Sequence, residues 1–407
     1  MNILNKFKVR VSKYGLKYVI NVIIQNKIYR HLDDFIMSLF TPIFKVISLK
    51  NTILIESHND FDCNGGAFYD YLLEHEYNNK YKIVWLLRNK KPRNLPSNVL
   101  AFNIFKPNIR KAYYICTAKY MTADHVIIKK VRNEQKSFYL THGSISLKNT
   151  AGKILLPSML DYCLAPSEFM KSITAKQTSL EYPCSKLIVL GYPMHDILYN
   201  NAKGDLSKIT ENSYKKVILW MPTFRQNISW NRNDSGLEEN VGIPLLNNQN
   251  EYLSLNEQLK KNNSLLIIKI HPMQDLNELK IGNETNIKIL TASEVKKLNI
   301  DNYRLMKETD ALISDYSSAA FDYLHCNKPI GYILSDEESY KLGFIVEDPH
   351  SMMAGHMIYT FGDLTKFIED VIDNNDIYVK DRICLFNKVF YYHDGNSCKR
   401  LVDFMGL

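Results

Sequence analysis

Beyond residue 50 the chain alternates short apolar runs with stretches of helical spacing. Thr52–Glu56, Tyr81–Leu87, Val99–Phe102, Tyr120–Ala123, Ser137–Leu140, Tyr162–Ala165 and Leu187–Leu190 read as strands. The first is followed by an Asn64-Gly65-Gly66 turn and a helix through Glu74, and helical patterns cover Asn108–Thr117 and Glu168–Gln177. Runs that are apolar on both faces belong in parallel sheets covered by helices on either side. A polar tract over 200–215 interrupts the alternation, which then restarts. Val217–Met221, Leu265–Ile270, Ile287–Leu290, Ala311–Ser314 and Pro329–Leu334 read as strands, and Ser254–Asn262, Ser317–Asn327 and Thr365–Asp373 as helices, with a long Asn-rich loop over 226–250. Two successive α/β halves with a cleft between them follow, and ligands of such sheets bind outside the carboxyl ends of the strands.

The first fifty residues have a different pattern. They mix Ile, Val, Leu, Phe and Tyr with nine basic residues (Lys6, Lys8, Arg10, Lys13, Lys17, Lys27, Arg30, Lys45 and Lys50) against Asp33 and Asp34. They therefore carry seven of the eight excess positive charges of the 407-residue chain, and the remainder is nearly neutral. A near-neutral body excludes a general nucleic-acid binder. Asn21, Pro42 and Lys45 break the apolar runs short of a membrane span, and no compact apolar core with a small-residue cleavage site marks a secretory leader. A basic, amphipathic segment of this kind can lie in a membrane interface, with apolar residues toward the acyl chains and lysines on anionic headgroups; the other reading is a solvated helical layer packed on the domain. Seven cysteines without a CxxC pair argue against a disulfide framework or a cysteine zinc site and point to a reducing compartment.

Four strand ends place chemistry where the cleft is expected. Leu140-Thr141-His142-Gly143-Ser144 ends one strand, with Lys148 six residues beyond the histidine; an imidazole there suits general-base work near neutral pH. Trp220-Met221-Pro222-Thr223-Phe224-Arg225 delivers a hydroxyl and a guanidinium, whose planar fork matches a phosphate. Ile268-Lys269-Ile270-His271-Pro272 ends a third strand. Leu312-Ile313-Ser314-Asp315-Tyr316-Ser317-Ser318 runs from a strand into a helix whose first N–H groups favour an anion. Thr/Arg, Lys/His and Ser/Ser on one rim make a diphosphate cradle. Asp60-Phe61-Asp62 has the spacing of a metal-binding acidic pair, but it precedes a turn and reads as a loop element. No HExxH or paired His/Cys set suggests another metal, so neither a metal nor a cofactor is expected.

These elements, with Ala165-Pro166-Ser167-Glu168, Gly191-Tyr192-Pro193-Met194-His195-Asp196, Lys328-Pro329-Ile330-Gly331-Tyr332-Ile333 and the stretch from His393 to Phe404, resemble the CDP-glycerol glycerophosphotransferase family over residues 51–405. The family includes teichoic-acid primases and polymerases and related capsule-polymer transferases. The resemblance implies a GT-B-like α/β fold, two Rossmann-like parallel-sheet domains facing across a cleft, with an N-terminal helical basic segment. The expected division is 1–50 for membrane association, 51–205 for the acceptor side, 206–378 for the nucleotide donor and 379–407 for a C-terminal helical segment packing back toward the first domain.

The implied reaction transfers glycerol phosphate from CDP-glycerol, or a related CDP-polyol, to a hydroxyl of a lipid-linked or polymeric wall or capsule glycan, at the cytoplasmic face of the membrane. His142 resembles the family's base and His271 its second histidine, at the donor phosphates. Arg225, Ser317 and Ser318 would hold the diphosphate, supported by Thr223 and Asp315, with Lys148, Lys269, Asp196 and Asp322 as further candidates. The familiar Trp-His-Gly-Thr-Pro-Leu-Lys form is altered here, with one extra residue before Lys148. His195 stands near the place of an expected arginine and reads as a surface histidine. Two other readings share the pattern: a GT-B glycosyltransferase using a UDP- or CMP-sugar, and a non-catalytic, membrane-tethered module that binds a nucleotide or polymer.

Overall fold

The apolar runs form two parallel sheets in a computed structural model of the chain, which describes residues 8, 11–12, 15–89, 91–92, 94–223, 225–227, 232–233, 241–274, 276 and 279–407. Lys6, Arg10 and Lys13 of the basic segment, and much of the Asn-rich loop, lie outside the described residues. By its internal contacts the chain divides into two units. The first holds 1–143, 154–196 and 394–407, and the second holds 144–153 and 197–393. The expected boundaries at 205/206 and 378/379 therefore differ from the observed ones at Asp196 and His393.

The sheet of the first unit contains β1 (Lys50–Glu56), β2 (Lys82–Leu87), β3 (Val99–Asn103), β4 (Ala118–Ala123), β5 (Lys136–Tyr139), β6 (Tyr162–Leu164) and β7 (Leu187–Ile188) in the order 3-2-1-4-5-6-7, all parallel. Ile53, Leu54, Ile55, Val84 and Trp85 are fully buried, because helices cover both faces of the central strands. The second unit has β8 (Lys216–Trp220), β9 (Ser264–Lys269), β10 (Ile287–Leu290), β11 (Ala311–Ser314), β12 (Ile330–Ile333) and β13 (His356–Ile358) in the order 10-9-8-11-12-13, again all parallel. Each order reverses direction beside the unit's first strand, between β1 and β4 and between β8 and β11. That reversal opens a crevice at the strands' carboxyl ends.

Every expected strand is present, with its ends within two residues. The edge strand β13 was not expected, because its half-buried His-Met-Ile gives no apolar run. The Asn-rich loop contains a two-residue antiparallel pairing of 226–227 with 232–233 and gives way to a helix at Gln249.

Helices α1 (Leu16–Ile23), a π-helical turn (Ile24–Tyr29) and α2 (Arg30–Phe44) open the first unit. Helix α2 docks on α4 (Ile109–Thr117), after α3 (Cys63–Glu74), through Phe44 edge-on to Tyr113 and an ion pair from Asp33 to the buried Lys111 at 2.9 Å. Arg132 also donates to the carbonyls of Phe44 and Lys45. The alternative reading of this segment, a helical layer packed on the domain, therefore describes α2. The expectation for 379–407 is corrected in part. Helix Val379–Val389 belongs to the second unit, whereas Ser397–Met405 packs on the first, with Phe404 edge-on to Phe138 and Tyr162.

Candidate functional site

In the first unit three histidines sit at neighbouring strand ends: His58 two residues past β1, His125 two past β4 and His142 three past β5. The sheet order, with β1 beside β4 and β4 beside β5, is what brings them together. The His142 ring is exposed and stacks on His58 with centroids 4.0 Å apart and planes 28° apart. His58 lies 4.7 Å from His125, and His125 is 6.0 Å from His142. The Cys63 Sγ is 3.5 Å from His142 Nδ1.

The backbone around His142 is tightly determined. Thr141 and Gly143 both adopt positive φ (64° and 78°), and the Thr141 hydroxyl donates to the Gly143 carbonyl at 2.8 Å. Buried Asn64 donates to the carbonyls of Leu140 and Thr141 and accepts from Met194 N–H, tying the loop to α3. The loop before α3 holds Asp60, Phe61 and Cys63 at positive φ, which is costly for side-chain-bearing residues. Its two carboxylates maintain it. Asp60 accepts from the N–H groups of Arg88 and Asn89, and Asp62 accepts from Asn59 N–H and the Ser57 hydroxyl. That matches the reading of the Asp-Phe-Asp spacing as a loop element. At Gly66 an added Cβ would lie 2.5 Å from the Phe61 backbone, so α3 starts directly beneath this loop.

Arg88 fixes the electrostatics. Its Nη2 is 3.1 Å from the buried Glu56 carboxylate and 2.6 Å from His125 Nδ1. Because a guanidinium only donates, Nδ1 of His125 is the acceptor and the ring is neutral. Burial, with the Arg88 cation and His58 beside it, pulls the His125 pKa down to about 4. Burial likewise lowers that of His58, against a pull upward from Asp62. Two neutral rings therefore back His142. Glu56 and Asp124 are pushed upward chiefly by burial, although Glu56 accepts from the His125 and Val126 N–H groups and Asp124 from Gly65 N–H. His58, His125, Arg88 and Glu56 were not singled out from the sequence. Their signal was the same as that of His142, a polar residue at or just past the end of a strand.

In the second unit, Thr223 and Arg225 follow β8, His271 follows β9, and Asp315, Ser317 and Ser318 follow β11. His271 is half-buried, and its Nδ1 accepts from Met273 N–H at 3.1 Å, which leaves Nε2 as the protonated nitrogen of the neutral ring. Ser317 caps α8 (Ser318–Tyr323, after α5 at Lys171–Thr178, α6 at Gln249–Lys261 and α7 at Asn302–Glu308), accepting from Ala319 N–H. Ser317 and Ser318 are half-buried at the head of that helix. The segment 144–153, immediately after His142-Gly143, belongs to this unit. Leu147 N–H donates to the Tyr316 carbonyl, and Lys148 bridges to Phe344.

Arg225 requires a correction. Its side chain is 1% exposed, and its guanidinium donates to Asp315 at 2.8 Å and to Asp336 at 2.7 Å and 3.2 Å. Tyr316 and Tyr340 flank it at 5.5 Å and 5.7 Å. Thr223 spends its hydroxyl and its N–H on Asp315, at 2.5 Å and 2.9 Å. Thr223, Arg225 and Asp315 therefore form a buried internal network rather than a phosphate grip. Burial pushes the Asp315 carboxyl upward, but the charges of Arg225 and Lys148 and the Thr223 bonds outweigh it and hold it below the usual range. Asp336, absent from the sequence reading, is the second anchor, and it follows the strand at Ile330–Ile333.

The supporting candidates divide. Lys148 lies near this network, where its charge acts on Asp315. Lys269 is buried at the end of β9, and burial lowers its pKa against a pull from Asp301. Asp322 is buried and accepts from the Tyr303 hydroxyl, away from the strand ends. Asp196 is not in the site: it accepts from Ser397 and Cys398 N–H at 2.9 Å and 2.7 Å, at the head of the last helix. His195 is buried against Tyr192, not on the surface. Among the described residues no group of three or more His, Cys, Asp or Glu side chains could hold a metal ion.

Comparison with known proteins bears on this geometry. A family profile described as CDP-glycerol:poly(glycerophosphate) glycerophosphotransferase matches residues 38–406. A teichoic acid poly(glycerol phosphate) polymerase of Bacillus spizizenii is 23% identical over 93% of this chain and 99% of its own length. A teichoic acid glycerol-phosphate primase of Bacillus subtilis is 26% identical over 88% and 91%, and a ribitol-phosphate polymerase of Staphylococcus aureus is 25% identical over 89% and 71%. The solved structure of the wall teichoic acid polymerase TagF superposes with a TM-score of 0.70 at 19% identity, covering all of this chain and 98% of that one. That likeness establishes a shared fold.

Proposed function

This chain belongs to the CDP-glycerol:poly(glycerophosphate) glycerophosphotransferase family, and from that premise we propose that it transfers glycerol phosphate from CDP-glycerol to a hydroxyl of a wall glycan acceptor, releasing CMP. The observation that carries the chemistry is His142, an exposed imidazole at a strand end, stacked on a ring kept neutral by burial. His142 takes the acceptor hydroxyl's proton as that oxygen attacks the β-phosphorus. The bond from that phosphorus to the CMP oxygen breaks, and CMP leaves with its electron pair. His271 Nε2–H and the hydroxyls and free N–H groups at Ser317 and Ser318 stabilise charge on the donor phosphates. Arg225 acts one step back. By clamping Asp315 and Asp336 it fixes the loops that follow β8, β11 and β12, and so the position of Ser317.

The donor polyol is glycerol in this reading, with ribitol as the close alternative, since relatives of both kinds match the chain. The acceptor is lipid-linked and met at the cytoplasmic face of a membrane. Support for this comes from the outer side of α2, where Leu32, Phe35, Leu39 and Ile43 are exposed at helical spacing. No helix of the described residues is long and apolar enough to cross a membrane. The reaction needs no metal in this reading.

Purified protein with native membranes, offered CDP-glycerol, CDP-ribitol and nucleotide sugars in parallel, tests the proposal. CMP release from a CDP-polyol that survives EDTA and falls on the order of 10²–10⁴-fold in His142→Ala is the expected result. Turnover of a nucleotide sugar alone would overturn the chemistry in favour of a glycosyltransferase. Binding of a CDP ligand without turnover, unaffected by His142→Ala, would reduce the chain to a binding module.

A further inference from the structure

The His142 ring is exposed, and an imidazole turns broadly about its last side-chain bond unless its neighbours hold it. Two side chains hold it here, in different ways. The His58 ring lies against its face, with centroids 4.0 Å apart and planes 28° apart. The Cys63 Sγ lies on its edge, 3.5 Å from Nδ1. With Nδ1 turned to the sulfur, proton exchange with an acceptor hydroxyl falls to Nε2. Both supports stand on a fixed loop. Cys63 adopts a φ of 50° at the first residue of α3, and Asp62 accepts from Asn59 N–H and the Ser57 hydroxyl on either side of His58.

What His58 offers is an uncharged ring. Its Nδ1 is buried and has no hydrogen-bond partner among the described residues, so protonation there would bury a charged N–H without an acceptor. Burial is also the chief reason its pKa is lowered, with Asp62 pulling upward and Arg88 downward. The next ring, His125 at 4.7 Å, is neutral because its Nδ1 accepts from Arg88. Arg88 is matched in turn by Glu56 at 3.1 Å, and burial pushes Asp124 toward its neutral form. A neutral aromatic face attracts a cation placed over it, whereas a second imidazolium would repel it. His142 becomes a cation only as it takes the proton. The stack is therefore stronger in the transition state than in the ground state, the kind of contact that raises kcat.

We propose that His58 is a positioning residue for the base: its ring fixes the plane of the His142 imidazole and stabilises the imidazolium that forms as Nε2 takes the acceptor hydroxyl's proton. The inference rests on the phosphotransferase reading and deepens it. His58 neither gives nor takes a proton. The proton passes from the acceptor oxygen to His142 Nε2 and is released to water after CMP has left.

The test uses three variants of the full chain. His58→Phe keeps a ring that cannot be protonated, His58→Gln keeps a polar group without a ring, and His58→Ala removes both. CMP release from CDP-glycerol with native membranes is measured for each at neutral pH. His58→Ala and His58→Gln are expected to lower kcat about tenfold, the worth of one desolvated contact between a cation and a ring. The KM for CDP-glycerol should stay within about twofold of wild type, since only the proton-transfer step is touched. His58→Phe is expected to keep kcat within about threefold of wild type, because the neutral face is retained. A Phe variant as slow as the Ala variant, an Ala variant as fast as wild type, or a loss carried by KM instead of kcat would each overturn the proposal. Proton NMR of the histidine rings separates the two claims. The His142 ring protons, identified by their loss in His142→Ala, are expected upfield in wild type and His58→Phe, where they lie over a ring, and downfield of that in the Ala and Gln variants. Wild type with these shifts but without CDP-polyol turnover would overturn the reaction reading while bearing out the stack. Turnover with equal shifts in all four proteins would overturn the stack alone.

Discussion

Arg225 shows how a residue suited to one task can be held for another. A guanidinium near a diphosphate is the natural reading of its sequence position, yet both faces of its fork are taken by carboxylates and its planes by tyrosines. Removing one member of such a buried set leaves uncompensated charge, at a cost of about 3–5 kcal/mol. Arg225→Met is accordingly expected to lose about that much stability at pH 7 in urea unfolding, and a loss under 1 kcal/mol would contradict the clamp. Because Asp315 titrates below its unfolded value, its contribution is complete above the unfolded pKa and disappears as pH falls through the folded one. The variant therefore unfolds at a higher pH on acid titration. His125 gives a second pH signature. Its folded pKa of about 4 lies below the unfolded 6.5, so its share of stability is full above 6.5 and is lost as pH falls toward 4. Glu56 and Asp124, both raised, act in the opposite sense, so the wild type must be compared with His125→Asn. The stability difference between the two is expected to shrink from pH 7 to pH 4, and a difference independent of pH would mean the ring is not held neutral.

At the scale of elements, legibility followed burial. Strands such as Thr52–Glu56 and Val217–Met221 were plain in the sequence because parallel strands covered on both faces are continuous apolar runs. His356–Ile358 was not, because an edge strand is only half covered. The same holds for the site. His142, His271 and Ser317 were visible because each lies just past a strand. His58 and His125 occupy equivalent positions, but only the 1-4-5 strand order brings them to His142, and no local pattern encodes that order. Asp336 lies 111 residues from the arginine it pairs with, so the buried pair could not be read from either neighbourhood. Asp196 was legible as a polar residue in a recurrent motif, but not as an anchor for a helix 201 residues away. It accepts from two N–H groups at the start of Ser397–Met405, where loss of a capping carboxylate costs about 0.5–2 kcal/mol. Asp196→Ala is expected to lower the unfolding temperature while leaving the KM for CDP-glycerol unchanged; a raised KM at unaltered stability would return Asp196 to the site.

The whole molecule meets its proposed surface through one helix, α2, which is apolar on two sides. Its inner side carries Asp33, Met37, Phe40, Thr41 and Phe44, packed against the first unit through Lys111, Cys116 and Tyr113. Its outer side exposes Leu32, Phe35 (63% exposed), Leu39 and Ile43. The stripe is extended by Leu16, Ile20, Ile23 and Ile28 before it and by Val46 after it. A helix covered on one side only would have polar residues on the other; the outer stripe instead suits a second apolar phase, and the exposed lysines at 17, 27 and 45 suit the anionic headgroups of the proposed surface. Deleting the first fifty residues is the wrong test of this. It would strip the inner contacts and leave Lys111, which burial already disfavours as a cation, without its carboxylate. The outer face can be changed alone. Phe35→Ser/Leu39→Ser/Ile43→Ser removes exposed apolar groups and leaves the Asp33–Lys111 pair in place. The triple variant is expected to bind vesicles containing phosphatidylglycerol at least tenfold more weakly, with unfolding temperature and turnover on a soluble acceptor close to wild type. Raising the salt concentration should weaken the residual binding further, since what remains is attraction between lysines and headgroups within a Debye length. Vesicle binding equal to that of wild type would mean that the stripe is not the membrane-facing surface.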